Sequence, residues 1–492
     1  MLFFNYYILT PEAKFVKCRR GAFLLDIVIS LLYNDYINIF LEDSLLNNTF
    51  SKRNWLILIL FGLIGQIAWS VENMYFNLFV FETIAPNLDA ITLMVQLSGI
   101  CATVITLIAG TLSDKLGNRR SFISIGYIIW GVTVGLFGFI SPELFGNLFG
   151  IDETAAISVA LGVVIAGDCV MTMFGSCAND AAFNAWVTDN TETSYRGKIE
   201  SVLSIMPLAS MLIVAGGFGI LVSLLSYKTV FLAMGIIIVA SGVLGLFLVK
   251  DKPALAPSGK FRDIIYGFKP STVKSNPLFY ITLIIVCIYG IACQTFMPYL
   301  IIYMKTELNF SVLEYSAVFA IAIILGAVIN LFLGKLSDKL DKMKCMYLAS
   351  VIFSVGLILM YFFKGMDKIP TLILFGLAGF VMIVGFIFIS ALSGAIVRDY
   401  TPESEAGKLQ GVRMIFSVLI PMLAGPAIGN LINTANGKLL ENAGADAMTT
   451  SFVPAPGIFL AASLISLLIL AVVPVAIWLR DRKAKVSEGS AE

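Results

Sequence analysis

The sequence predicts an all-α, polytopic membrane protein: twelve transmembrane helices in two related six-helix halves. Three observations lead there: an apolar composition, twelve span-length stretches with alternating loop charge, and an internal duplication. The chain has 492 residues, 58% of them hydrophobic and 13% charged, with a mean hydropathy of +0.91. Soluble domains carry about 25% charged residues, so this chain has too little polar surface to cover itself in water. Lipid is the solvent it suits. The net charge of +1 leaves no electrostatic footprint for nucleic acid. The absence of histidine excludes a histidine metal site and a histidine proton relay, so any proton carrier is a carboxylate and no metal or other cofactor is expected. The seven cysteines all avoid the expected external loops, which argues against a disulfide framework.

A helix needs about 20 mostly apolar residues to cross the hydrocarbon core. Twelve stretches qualify: 54–82, 90–112, 121–141, 155–187, 198–225 and 228–249, then 277–304, 313–334, 345–363, 370–397, 408–433 and 456–479. Residues 54–249 form the first half and 277–480 the second. The intervening 250–276, with Pro253, Pro257, Gly259 and Pro270, reads as a linker. Residues 481–492 form a tail. Of the 33 lysines and arginines, 24 fall on the linker side of the twelve-helix body and 5 on the other, the remaining four lying in the N-terminal extension. The positive-inside rule makes the linker side cytosolic, with both ends of the twelve-helix body inside. Residues 1–53 do not fit: Ala22–Leu41 is interrupted by Asp26, Asn34 and Asp35, a poor span and better read as an interfacial or dispensable extension. The expected location is the plasma (inner) membrane, and a monomer is expected.

Two passages recur. Gly110-Thr-Leu-Ser-Asp114-Lys-Leu-Gly117-Asn-Arg119-Arg120 follows the second helix, and Gly334-Lys-Leu-Ser-Asp338-Lys-Leu-Asp341 follows the eighth. Val187-Thr-Asp189 after the fourth helix returns as Val397-Arg-Asp399 after the tenth, followed in each case by Gly197-Lys198 and Gly407-Lys408. Two related halves are a carrier plan, with the site between them near mid-membrane. Gly110 suits close helix approach. Asp114 can accept from backbone N–H groups at the positive end of a neighbouring helix, or merely cap the next helix.

The first passage resembles the loop motif Gly-x-Leu-x-Asp-(Arg/Lys)-x-Gly-Arg-(Arg/Lys) of the major facilitator superfamily, through Gly110, Leu112, Asp114, Lys115, Gly117 and Arg119 or Arg120. The resemblance implies that Asp114 latches onto the start of the eleventh helix near Gly407, and that Asp338 meets the fifth near Gly197. The second copy departs from the motif, because Asp341 replaces its glycine and its turn should differ. The run Gly117-Asn-Arg-Arg-Ser-Phe122 is similar to glycoside–pentoside–hexuronide cation symporters and plant sucrose symporters.

An acid within a span costs about 2.5–3.5 kcal/mol at a helix centre on insertion scales, so Asp168 and Glu72 stand out. On a regular helix Asp168 shares a face with Thr172, Gly175 and Asn179, the polar, small stripe that a cavity wall needs. Such an acid can exchange a proton as water reaches it from alternate sides, and the sucrose-symporter resemblance implies the same role for a fourth-helix aspartate. Structural hydrogen bonding is its alternative. Gln66, Ser70, Asn73 and Asn77 cluster on the first helix beside Trp69, with Glu72 at the flank. Amides beside a ring suit a hydroxylated, uncharged solute; polar packing between helices is the plainer reading. Tyr289, Phe296 and Tyr303 on the seventh helix are further candidates. Sodium is less expected than protons, because the melibiose-permease type carries aspartates on the second helix as well, and here that helix offers Gln96, Ser98, Thr103 and Thr106. Gly425-Pro426-Ala-Ile-Gly429 resembles an antiporter signature that belongs on the fifth helix; on the eleventh it reads as packing glycines and a kink.

The leading expectation is a carrier performing proton-coupled symport of a small solute, a sugar or glycoside among the candidates. A proton-driven exporter of amphiphiles and a non-transporting sensor stay open. A membrane enzyme is disfavoured, since no HExxH or GxSxG motif occurs. The topology is testable: a cysteine placed within 250–276 should resist an impermeant external thiol reagent in intact cells, and labelling there would reverse the assignment.

Overall fold

Hydrocarbon offers no hydrogen bonds, so every backbone N–H and C=O that crosses it must be paired internally. The computed structural model describes residues 50–192, 195–251, 266–363, 367–402, 406–438 and 452–489, and they answer this constraint with twelve helices long and apolar enough to cross a membrane. These are α1 Lys52–Ile84, α2 Leu88–Leu116, α3 Arg119–Phe137, α4 Glu153–Asn190, α5 Lys198–Leu225, α6 Tyr227–Leu248, α7 Pro277–Thr306, α8 Val312–Ser337, α9 Lys342–Phe362, α10 Lys368–Asp399, α11 Leu409–Asn436 and α12 Gly457–Arg482. Each coincides with a predicted stretch, with ends displaced by a few residues. Short helices Pro142–Phe149 and Pro270–Ser275 lie outside the spans. The chain divides into two units, Met1–Lys52 and Arg53–Glu492. The reading of Ala22–Leu41 and most of the linker fall outside the described residues.

Side chains such as Phe247, Leu224 and Leu431 are about three-quarters exposed, as lipid-facing surface should be. The helices are drawn together by small residues. Between α3 and α6 the backbones nearly touch: a Cβ on Gly131 would lie 2.6 Å from the Gly235 carbonyl oxygen, and one on Gly235 2.5 Å from that of Gly131. Only hydrogen fits at that crossing. Between α9 and α10 the same device recurs: a Cβ on Gly385 would collide with the Phe353 nitrogen, and one on Gly356 with that of Met382.

Several spans are not regular throughout. Wide π turns interrupt α1 at Glu72–Phe76 and Val80–Ile84, α4 at Ser176–Phe183, α5 at Val214–Phe218 and α11 at Ile415–Leu419. A π turn rotates the faces of the helix on either side of it and often marks a functional position. The π turns of α5 and α11 lie at different positions along their helices, 16 residues after Lys198 and 7 after Lys408, whereas α7 and α10, the counterparts of α1 and α4, run as unbroken α-helix. The halves therefore differ where the predicted acids sit.

The contacts between the halves are concentrated on the face away from the basic loops. There Thr92 of α2 hydrogen-bonds the Tyr299 hydroxyl of α7 at 2.7 Å. Gln96 Nε2 donates to the Leu423 carbonyl of α11 at 2.8 Å, Asn430 of α11 to Asp89 of α2 at 2.5 Å, and Lys305 of α7 pairs with Glu82 of α1. Lower on α2, a Cβ on Gly99 would meet Met422 of α11 at 2.6 Å. At the basic end of the same helix, Gly110 has nothing within 4 Å, and neither has Gly334 of α8. The close approach expected at Gly110 is not made in this conformation. Across that end Arg398 of α10 and Glu200 of α5 stand 3.5 Å apart with both side chains exposed, which is worth little. Among the described residues, the hydrogen bonds between the halves thus gather on the face away from the basic loops.

Substituting Gly235→Val forces a branched side chain into the α3–α6 crossing and should lower stability by roughly 1–3 kcal/mol or more, visible as a depressed thermal midpoint or lost expression. Gly110→Ala, with open space around it, should leave the midpoint unchanged. Equal effects would show that the α3–α6 approach is looser than described.

Candidate functional site

The acid of α1 sits where its helix widens. Glu72 opens a π turn, and its Oε1 accepts from Ser98 of α2 at 3.1 Å and from Thr172 of α4 at 3.0 Å. The two hydroxyls also meet each other at 2.9 Å. One carboxylate oxygen thus ties three helices of the first half together. Its second oxygen, Oε2, is buried and accepts from no group among the described residues, and the same holds for Oδ1 of Asp168. Asp168, on the face of α4 that carries Thr172, is 2% exposed and lies against Ser98.

Glu72 and Asp168 line one small cavity with Asn73, Asn77, Met94, Val95 and Ser98, and the second half closes it with Gln294 and Pro298 of α7 and Met422 of α11. Its volume is about 10 Å³, the room of a single water. In this conformation the space between the acids admits an ion or a water and no sugar.

The other predicted contact residues divide into two groups. Asn73 and Asn77 line the cavity, each with its amide nitrogen tied to its own helix: Asn73 to the Trp69 carbonyl at 2.8 Å and Asn77 to that of Asn73 at 3.3 Å. Trp69 packs on Trp130 of α3, ring centroids 5.0 Å apart, with Gly175 leaving room for both rings. Ser70 bonds Ser210 of α5 at 2.9 Å. Asn179 accepts from Tyr127 of α3 at 2.9 Å and fills the space beside Gly65. Gln66 is half-buried one turn below Trp69. Tyr289 donates to the Phe386 carbonyl of α10 at 3.1 Å and packs among Phe353 and Phe386, so it belongs to the packing of the second half. Phe296 and Tyr303 are fully buried against Phe459.

A third acid escaped the sequence reading. Asp180 lies within α4, accepts from Asn179 Nδ2 at 3.4 Å and borders Ser176 and Trp69. On a regular helix it falls about 120° from Asp168, off the polar stripe. It sits in the π segment Ser176–Phe183, whose wider turns break that periodicity. Its charge inside a predicted span was the available signal.

At the basic face the repeated passages meet one another in both halves. Gly117 ends α2 in the left-handed conformation, φ +61°, where glycine is at ease. Asn118 then caps α3 by accepting from Ser121 N at 3.0 Å, so Asp114 is not the cap of that helix. Instead Asp114 pairs with Arg119, which is 3% exposed and also donates through Nε to Asp189 at 3.0 Å. Asp251 accepts from the backbone of Arg119 and Arg120 at 2.8 and 3.0 Å, and Arg120 reaches the Leu246 carbonyl. In the second half Lys342 pairs with Asp399 at 2.7 Å. Asp341 caps α9 by accepting from Met343 N at 3.0 Å, and is itself extended where the first copy has its left-handed glycine. The altered turn expected from Asp341 is the one observed. The side chain of Asp338 and the surroundings of Gly407 lie outside the described residues.

Known proteins bear on this arrangement at the level of fold and family. No curated protein matches the sequence. The nucleoside transporter NupG superimposes with a TM-score of 0.60 at 13% identity, over 86% of this chain and 98% of that one. A bacterial homologue of the lysosomal transporter Spinster, in an inward-facing and unoccupied conformation, gives 0.61 at 13%, over 86% and 96%. A bacterial homologue of the iron transporter ferroportin, outward-facing, gives 0.56 at 16%, over 86% and 98%. The family model of the Major Facilitator Superfamily matches residues 56–425 and 283–492. A twelve-helix body, a duplicated basic-face motif and that match across the chain together make this protein a transporter of the Major Facilitator Superfamily.

Proposed function

We propose that the protein is a secondary active symporter that couples proton entry to the movement of a small, uncharged, hydroxylated solute by alternating access. One observation carries the reading: half-buried Glu72, whose Oε2 is buried, and fully buried Asp168, both acids of one half, border a cavity completed by side chains of the other half. A rocking motion of the halves would expose both acids first to one face and then to the other. Each buried charge would cost about 2.5–3.5 kcal/mol at a helix centre on insertion scales, and neither acid has a basic partner among the described salt bridges. A structural ion pair is thus not what the two acids serve.

The basic face, away from the gathered bonds, would be the cytosolic one, and the state would then be inward-facing with its latch released: Asp114 is held by Arg119 within its own half. On rocking outward, the basic ends of α2 and α11 would close and Gly110 would gain a neighbour. The solute would occupy the opened space beside Asn73 and Asn77. The likeness to nucleoside and iron transporters is one of fold, and the solute class rests on the amide side chains alone.

A proton symporter must reorient both loaded with solute and proton and empty of both. Asparagine at 168 keeps the shape of the protonated acid and cannot release a proton. Asp168→Asn should therefore abolish uphill accumulation driven by a pH gradient, while solute exchange across the membrane persists. Glu72→Gln, assayed beside it, tells which acid carries the proton. Normal pH-driven accumulation by both variants would refute the coupling reading, and loss of exchange as well as accumulation by both would assign the acids to binding or folding.

A further inference from the structure

The cavity between the acids is walled by acceptors. Glu72 Oε2, Asp168 Oδ1 and Asn77 Oδ1 are all buried, and none receives a hydrogen bond among the described residues. Asn77 is 2% exposed, and its amide nitrogen is engaged by the Asn73 carbonyl, which commits its oxygen to the other side. All three residues line the same space, with Ser98 beside them. A carboxylate can only accept, and so can the amide oxygen. A single water brings two hydrogens to these three acceptors, so it leaves one unsatisfied, and an unsatisfied buried acceptor is costly. A cation satisfies all of them at once.

The volume selects the cation. About 10 Å³ holds one water or one bare ion of similar size, so the occupant must shed its hydration shell. Hard cations take carboxylate and carbonyl oxygens, but magnesium gives up its waters reluctantly and calcium asks for about 6–8 oxygens, more than this cavity offers. We propose that the cavity is a sodium site, in which one dehydrated Na⁺ is held by Glu72 Oε2, Asp168 Oδ1 and Asn77 Oδ1 with the Ser98 hydroxyl completing the shell. Because Na⁺ uses the same carboxyl oxygens as the proposed proton, the inference builds on that reading: the two ions compete for one site.

The test is binding, without transport. Purified protein in choline chloride buffer at fixed pH is titrated with sodium chloride at constant ionic strength, and the thermal midpoint is followed. A ligand bound only by the folded state stabilises it by RT ln(1 + [L]/Kd), so the midpoint should rise with the logarithm of sodium beyond the dissociation constant. Asp168→Asn and Glu72→Gln should lose that rise. Asn77→Ala, which removes no charge, should move it to higher sodium; its midpoint in choline alone reports whether it folds. Identical midpoints in sodium and choline, or an undiminished sodium response in Asp168→Asn, would overturn the proposal. The two readings separate cleanly. No sodium response together with an Asp168-dependent pH-driven accumulation leaves proton coupling standing and removes the sodium site. A sodium response with no pH-driven accumulation does the reverse.

Discussion

The bond that the first half is built around is a carboxylate held away from water. Glu72 Oε1 collects the hydroxyls of Ser98 and Thr172, and by doing so fixes the register of α1, α2 and α4 against one another. Hydrogen bonds to a charged group contribute about 1.5–3 kcal/mol each, and in hydrocarbon no water competes for them. The other oxygen is buried and accepts from no group among the described residues, and Glu72 lines the cavity that the second half completes. Asp168, one helical turn from Thr172, supplies the second open oxygen.

Around Glu72 the two halves bond each other mainly on one face. Thr92, Gln96, Asp89 and Glu82 reach the second half there. On the basic face the charged groups are spent mainly within each half: Arg119 with Asp114 and Asp189, Lys342 with Asp399, Arg480 with Asp341. The two repeated sequence passages are therefore one device used twice, in which the loop after an even helix clasps the acid ending the helix two further on. Such a clasp keeps each half rigid, as the proposed rocking of one body against the other requires.

Much of this was legible in the residues. Twelve apolar runs and the side bias of lysine and arginine locate the spans, because hydrocarbon thickness and backbone pairing leave a helix no other length. The duplication around Asp114 and Asp338 reveals two halves, and the price of a buried charge singles out Glu72 and Asp168. The regular helical period fails where the helices widen. Asp180 lay off the expected stripe on a regular helical count, and the wider turns at Ser176–Phe183 break that count. Ser70 and Asn179 shared the expected polar face, but which neighbour that face meets depends on packing: both meet other helices of their own half. Asp189 stood out as part of a repeated passage, but its partner Arg119 is set by the fold. The conformation was not legible at all, since Gly110 meets open space in one state and would meet a neighbour in another.

The proposed coupling stands or falls on whether protons move with the solute. Protein reconstituted into vesicles loaded with a pH-sensitive dye, in sodium-free buffer, would be presented with the solute that most stabilises it. The coupling proposed for Asp168 and Glu72 predicts acidification of the lumen as solute enters, abolished in Asp168→Asn although solute exchange continues. Solute entry into wild-type vesicles with no accompanying proton movement would contradict it.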